Sequence, residues 1–290
     1  MKSTSTVAAF LLVLAVGAAA ASAGTGVGLW TSYVVPRAAH LPGDAGTFWR
    51  TDVAVVNPYP YQAVTVRVAY LPEKTDNSSW PFRAYTLGPG AQLVLDDVVG
   101  SVFGQEGKGS LCVWSPDGLY FTVSARTYTG AAGTFGQTVN GQQSVNFGEA
   151  QSYTAGVRNA AGYRTNVGVF NWSAAALEVR ADVFDDAGVL AGSRTFSLKP
   201  WSSEQVGVGT FAGNAASGYV RWTGLTAGDG AQWLAYASVV DDTTGDAVFV
   251  EDRSDDVYTQ HEPAYDLSGR WYGNVSTALG GAPATTACRQ

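Results

Sequence analysis

Few residues in this chain could carry out covalent or metal chemistry. There are two histidines, His40 and His261, and two cysteines, Cys112 and Cys288. A Ser-His-Asp arrangement needs an imidazole beside an activated hydroxyl. No Gly-x-Ser-x-Gly elbow occurs, His40 leads into the Leu41-Pro42-Gly43-Asp44 loop, and His261 lies in an irregular C-terminal stretch. HExxH motifs, paired Cys/His clusters and GxxxxGK[ST] phosphate loops are absent too. A glycosidase needs only two carboxylates at the right separation. Asp96-Asp97 and Asp185-Asp186 are adjacent pairs, and neighbours on a strand face opposite sides, so turn or strand-end positions explain them better. A hydrolase using an acidic pair is the enzymatic alternative to a non-catalytic reading.

Two other groups of residues suggest binding. DDTTGDAVFVEDRSDD, starting at Asp241, is the densest acidic stretch. Asp241, Asp242 and Asp246 are its calcium candidates, since extracellular calcium sites gather several oxygens on a loop. Their spacing matches no EF-hand, Thr244-Gly245-Asp246 reads as a hairpin turn, and EDRSDD from Glu251 reads as a solvated linker. No other cofactor is expected. Aromatic rings are the second group, with nine Trp and fourteen Tyr, because exposed rings can stack on sugars. Trp114 and Trp222 sit at matching strand positions and read as core; Trp172 and Trp201 sit at turns. Trp80, in the TDNSSWPF loop, is the candidate exposed ring.

Composition bounds what can position these groups. Charged residues make up 14% of the chain, and glycine is abundant at 35 residues, which suits short strands and tight turns better than helices with charged faces. A net charge of −7 argues against nucleic acid, whose binding needs clustered cations. At the N-terminus, Lys2 precedes an apolar run from Val7 to Ala21, followed by Ala21-Ser22-Ala23. Residues 1–23 therefore read as a cleavable signal peptide, and the expected address is exported: extracellular, cell-surface or periplasmic. No later segment is long and apolar enough to span a bilayer. Whether Cys112 and Cys288 pair is left open, because sequence does not place their Cα atoms.

The chain also repeats itself. RTDVAVVNP from Arg50 returns as RTNVGVFNW from Arg164; SYVVPRA from Ser32 faces SYTAGVRN from Ser152; AVTVRVAY from Ala63 faces ALEVRADVF from Ala176. The order is kept while the spacing shrinks, as expected of a duplicated unit that has lost loop residues. Val64, Val66, Val68 and Tyr70 alternate with Ala63, Thr65, Arg67 and Ala69, and Leu177, Val179, Ala181 and Val183 alternate likewise. Period-two alternation is the pattern of a strand with one face on a core. The expected architecture is all-β: two tandem antiparallel β-sandwiches of immunoglobulin-like size over residues 30–138 and 150–251, with 252–290 as a linker followed by either a loose tail or the start of a truncated third domain.

GTFWRTDVAVVNP and the closing LAYASVVDDTTGDAVFV resemble a module that recurs in uncharacterised exported bacterial proteins built from tandem β-sandwich repeats. The resemblance covers roughly Trp30 to Val250. It implies scaffolding and brings no active residues. The first unit departs from it, with SARTYTGAAGTFG from Ser124 where the second has ASVVDDTTGDAVF.

The repeated residues themselves suggest a structural latch of Arg50, Asn57, Arg164 and Asn171. Val53/Val55 and Val167/Val169 should point inward with Thr51 and Thr165. Asn57 and Asn171 share that parity at the strand end, where an amide can satisfy turn backbone. The arginines should be tied to backbone or acid groups at the domain edge. A duplicated ligand site is the alternative. The functional expectation is a non-catalytic exported structural or interaction protein with an extracellular protein or glycan as partner, and the leading rival within binding is a carbohydrate-binding module.

Overall fold

The structure, a computed structural model, describes residues 32–43, 46–130, 135–143, 151–160, 162–213, 217–226, 232–254, 264–265 and 271–272. The expected signal peptide and Cys288 lie outside these residues.

The first half of the chain forms β1 (Ser32–Pro42), β2 (Phe48–Val56), β3 (Val64–Pro72), β4 (Phe82–Leu87) and β5 (Gln92–Leu95). After one helical turn, Val98–Val102, come β6 (Gly107–Trp114), β7 (Thr122–Thr129), β8 (Phe135–Asn140) and β9 (Gln142–Gln143). Sheet I has the order β4-β3-β6-β1-β9 and sheet II the order β5-β2-β7-β8. The two join where Leu41 and Pro42 of β1 leave β6 and pair with Trp49 and Phe48 of β2.

The second half forms β10 (Gln151–Arg158), β11 (Tyr163–Asn171), β12 (Leu177–Asp185), β13 (Leu190–Leu198) and β14 (Ser203–Gly207). A short turn, Val208–Thr210, leads to β15 (Ser217–Gly224), β16 (Trp233–Asp241), β17 (Ala247–Glu251) and β18 (Arg253–Ser254). Sheet III is β14-β11-β16-β17 and sheet IV is β13-β12-β15-β10-β18. Strand for strand, this is the order of the first half, helical turn included. The chain is thus two tandem antiparallel β-sandwiches. One boundary moves: Arg253 and Ser254 pair with Tyr153 and Ser152, and Asp252 is buried. EDRSDD is therefore no solvated linker at its start, because Arg253 and Ser254 extend sheet IV by an edge strand.

Each sandwich has its own core. Tyr33, Val53, Val55, Val66, Leu111 and Val123 belong to the first, and Val167, Val169, Val179, Phe196 and Trp222 to the second. A third apolar cluster draws Val34, Ala69, Leu71, Trp80, Cys112 and Trp114 from the first sandwich, and Phe170, Trp172 and Leu234 from the second. Sheet I therefore packs its outer face on the outer face of sheet III, giving a four-layer stack in the order II, I, III, IV. That is why β1 and β6 are buried on both sides.

The third cluster corrects two expectations. Trp80 is not an exposed ring: it is 3% exposed and meets Trp201 edge to face, with ring centres 5.1 Å apart. Trp114 and Trp222 are both buried but not equivalent. Trp222 fills its own core, where Val113 stands in the first sandwich, while Trp114 points the other way, into the inter-sandwich cluster. A shift of one residue on a strand exchanges its faces, so matching the two tryptophans in sequence assigns one of them to the wrong side.

Trp201 shows the cost of this packing. Gly90 occupies the corresponding turn of the first sandwich at φ 64°, whereas Trp201 adopts φ 52°, a conformation costing a non-glycine residue roughly 1–3 kcal/mol. Its ring packs between Trp80 and Trp172, and its carbonyl accepts a 2.9 Å hydrogen bond from Asn77 Nδ2 of the first sandwich. Burial of these rings offsets the strain.

Candidate functional site

The repeated asparagines are both fully buried. Asn57 Nδ2 donates to the carbonyls of Gln62 (2.8 Å), Gly88 (2.8 Å) and Leu87 (3.2 Å), and Oδ1 accepts from Tyr59 N at 2.9 Å. Asn171 does the same with the carbonyls of Ala175 (2.7 Å) and Lys199 (2.9 Å) and with Ser173 N (2.8 Å). Thr51 and Thr165, both fully buried, accept from Ala39 N (2.8 Å) and Arg158 N (3.1 Å). The amides thus tie each strand end to its turn.

The two arginines stand in matching places, but their surroundings differ. Arg50 lies opposite Tyr128 across β2 and β7, and Arg164 lies opposite Val240 across β11 and β16. In the first sandwich Arg50 Nε lies 3.9 Å from the Asp97 carboxylate, and His40 Nδ1 is 2.8 Å from the same group. Asp97 N donates to Asp52 Oδ1 at 2.7 Å, and the Tyr128 hydroxyl donates to it at 3.2 Å. Charged and aromatic groups close that end of the sandwich. His40 thus has a carboxylate partner, which sequence spacing did not reveal.

In the second sandwich Asn159 and Asn166 stand where the first has His40 and Asp52, and Gly207, next after Val206 on β14, falls at the position of Asp96. No carboxylate fills the middle of this end, and a hollow of about 400 Å³ remains, lined by Asn159, Tyr163, Arg164, Asn166, Thr210 and Asp242 among others. Asp242 accepts a hydrogen bond from Arg164. Asp241 accepts from Thr243 N (2.7 Å) and Thr244 N (3.1 Å), and Asp246 Oδ1 from Ala247 N (3.1 Å). The calcium candidates are therefore turn residues and one ion-pair partner. Among the described residues, no three His, Cys, Asp or Glu side chains gather to hold a metal.

A second hollow, about 390 Å³, opens between the sandwiches. Arg37, Lys108 and Arg164 line it with Gln137, Gln205 and Trp49. None of its described lining residues is an Asp or Glu. Arg37 and Lys108 share one carboxylate, Glu73, at 3.5 and 3.3 Å. Burial depresses the Lys108 ammonium pKa, and repulsion from Arg37 adds to the effect. At the back of this region, burial pushes the Tyr236 hydroxyl up to about 12. Gly168 makes room for that ring, since a Cβ there would lie 2.4 Å from Tyr236 Cζ.

Hydrogen bonds fix the walls of this cleft. Lys74 N donates to Ser203 O (2.9 Å) and Asn77 N to Pro200 O (3.0 Å), while Lys74 Nζ lies 3.4 Å from Glu204. Ser238 Oγ donates to Gln137 Oε1 at 2.8 Å across the interface. Of the residues lining the cleft, Arg164 is the one that the sequence marked as a candidate site residue, through its place in the repeat. Arg37, Lys108, Gln137 and Gln205 come from four separate strands with no motif in common. Comparison with family models and with characterised proteins finds no match for the chain.

Proposed function

We propose that this is a non-catalytic, exported interaction protein that recognises its ligand in the groove where the two sandwiches meet. The observation that carries this reading is the cleft itself: cationic and amide side chains from both sandwiches converge on it, and backbone and ion-pair crosslinks hold its walls. Rigid walls lower the ordering cost of binding. The resemblance to exported tandem-module proteins and the expected signal peptide agree with an extracellular, cell-surface or periplasmic site of action.

The rival reading, a hydrolase, has one observation in its favour, the His40–Asp97 pair. The described contacts of His40 are Asp97 and the ring edge of Phe48, and neither can act as a nucleophile for a triad. A glycan array run beside a panel of esterase and glycosidase substrates tests the proposal. Binding without turnover is expected. Turnover abolished by Asp97→Asn or Asp52→Asn would overturn it.

A further inference from the structure

The hollow at the end of the second sandwich and the cleft between the sandwiches meet at Arg164 and Asn166, which line both. Resting on the interaction reading above, we propose that this joined groove binds an acidic oligosaccharide. A uronate carboxylate would lie against Arg37, Lys108 and Arg164, and neutral sugar residues would occupy the hollow beside Asn159, Tyr163 and Thr210.

The chemistry of the walls selects this class. Gln137 Oε1 is taken by Ser238 Oγ and Gln205 Oε1 by the Tyr236 hydroxyl at 3.0 Å, so each amide keeps its Nε2 donors for the cleft. With two guanidinium groups and an ammonium, the cleft is rich in donors and suits a ligand rich in acceptors. Arg37 and Lys108 have one carboxylate between them, which leaves a local excess of positive charge on a chain whose net charge is −7. That overall charge repels long polyanions, so the attraction is confined to the groove. Trp49 adds a partly buried ring to the cleft wall, an apolar surface for the C–H face of a sugar. The adjoining hollow offers the Asn166 amide, the Thr210 hydroxyl oxygen as an acceptor and the Tyr163 ring, which suit neutral sugar hydroxyls, while Asn159 is held by Gly213 O and Thr165 N. Each hollow is within the usual size of a ligand pocket, about 300–1,000 Å³.

Gly207 lines the hollow and brings no side chain into it. Gly207 has φ −71° and ψ 133°, and a Cβ there would meet nothing closer than Asn166 Oδ1 at 3.7 Å. Gly207→Asp is therefore accommodated by the backbone and places a carboxylate in the hollow. The experiment is calorimetric titration of the full chain with a linear hexuronic acid trimer, with its carboxyl-reduced neutral counterpart, and with a peptide bearing a free C-terminal carboxylate. The uronate trimer should bind, more weakly as salt is added, and the reduced trimer should bind at least about tenfold more weakly. Gly207→Asp and Arg164→Gln should each weaken uronate binding about tenfold without shifting the thermal transition, because the Arg164–Asp242 pair is largely exposed. Equal affinity for both trimers, tighter binding of the peptide, no binding by folded protein, or unchanged affinity in Gly207→Asp would each overturn the proposal. A neutral glycan that binds elsewhere would sink this inference and leave the interaction reading standing. Turnover of the trimer would sink the non-catalytic reading instead.

Discussion

Replacing Asn57 by alanine removes the donor to three carbonyls and the acceptor for Tyr59 N. Not all of these groups are stranded. The Gly88 carbonyl keeps the amide of Ala91 at 3.1 Å, whereas the Gln62 carbonyl and the Tyr59 amide lose the described bond that ties them to the turn. At about 1–3 kcal/mol for each buried polar group left unpaired, discounted because Gln62 is near the surface, the loss comes to roughly 3 kcal/mol. The measured shift depends on what unfolds together. The third apolar cluster and the crosslinks between the 73–77 and 200–204 segments make the stack one cooperative body. At about 2–4 °C per kcal/mol for a body of this size, Asn57→Ala should lower the melting temperature by about 6–12 °C. Asn171→Ala should move the same transition by a similar amount, since its bonds are equivalent. Differential scanning calorimetry of both variants reads this directly. Two resolved transitions, with each variant moving only one, would refute the single-body argument. A wild-type transition in both variants would refute the latch.

Asp252 is 3% exposed, and burial pushes its carboxyl up to about 6. The folded pKa lies above the unfolded value near 4, so the stability contributed by the protonated form is complete below about pH 4 and is lost as pH rises through about 6. Asp252→Asn should therefore raise stability at pH 7 by roughly 3 kcal/mol and change it little at pH 4; urea unfolding at the two pH values checks this. The outer faces of sheets I and IV are equivalent surfaces with opposite chemistry. Ala69, Cys112 and Trp114 on sheet I correspond to Asp182, Arg221 and Thr223 on sheet IV, where Asp182 lies 2.8 Å from Arg221 and 3.2 Å from Arg180. The contact of sheet I on sheet III is head-to-tail, a type that can propagate when it is not closed, and on sheet IV the Asp182–Arg221 pair, with Arg221 lying over the Phe184 ring, puts charge where another copy would seat. Asp182→Ala, Arg221→Val and Thr223→Trp together should cause concentration-dependent self-association by sedimentation. A monomeric, folded triple variant would show that the charged face is not what limits stacking.

Much of this fold was legible along the chain because strand alternation is a local property. Val53, Val55, Val167 and Val169 point inward with Thr51 and Thr165, and Asn57 and Asn171 share that parity at the strand ends. Their roles follow from period two and from the chemistry of an amide beside a turn. The repeat carried the strand order of one sandwich into the other. Only the tertiary structure decided what covers each outer face. Alternation separates two faces of a strand without saying whether the outer one meets water or another sheet. Trp80 and Trp114 thus belong to a cluster completed by Phe170, Trp172 and Leu234 from the other half of the chain. The same limit hid Asp97 from His40, Asp252 from the underside of sheet IV, and Arg37 and Lys108 from Gln205 and Arg164. All these contacts join residues far apart in sequence: those of His40 and Asp252 form within one sandwich, whereas the third cluster and the cleft exist only where one face of each sandwich presses against the other.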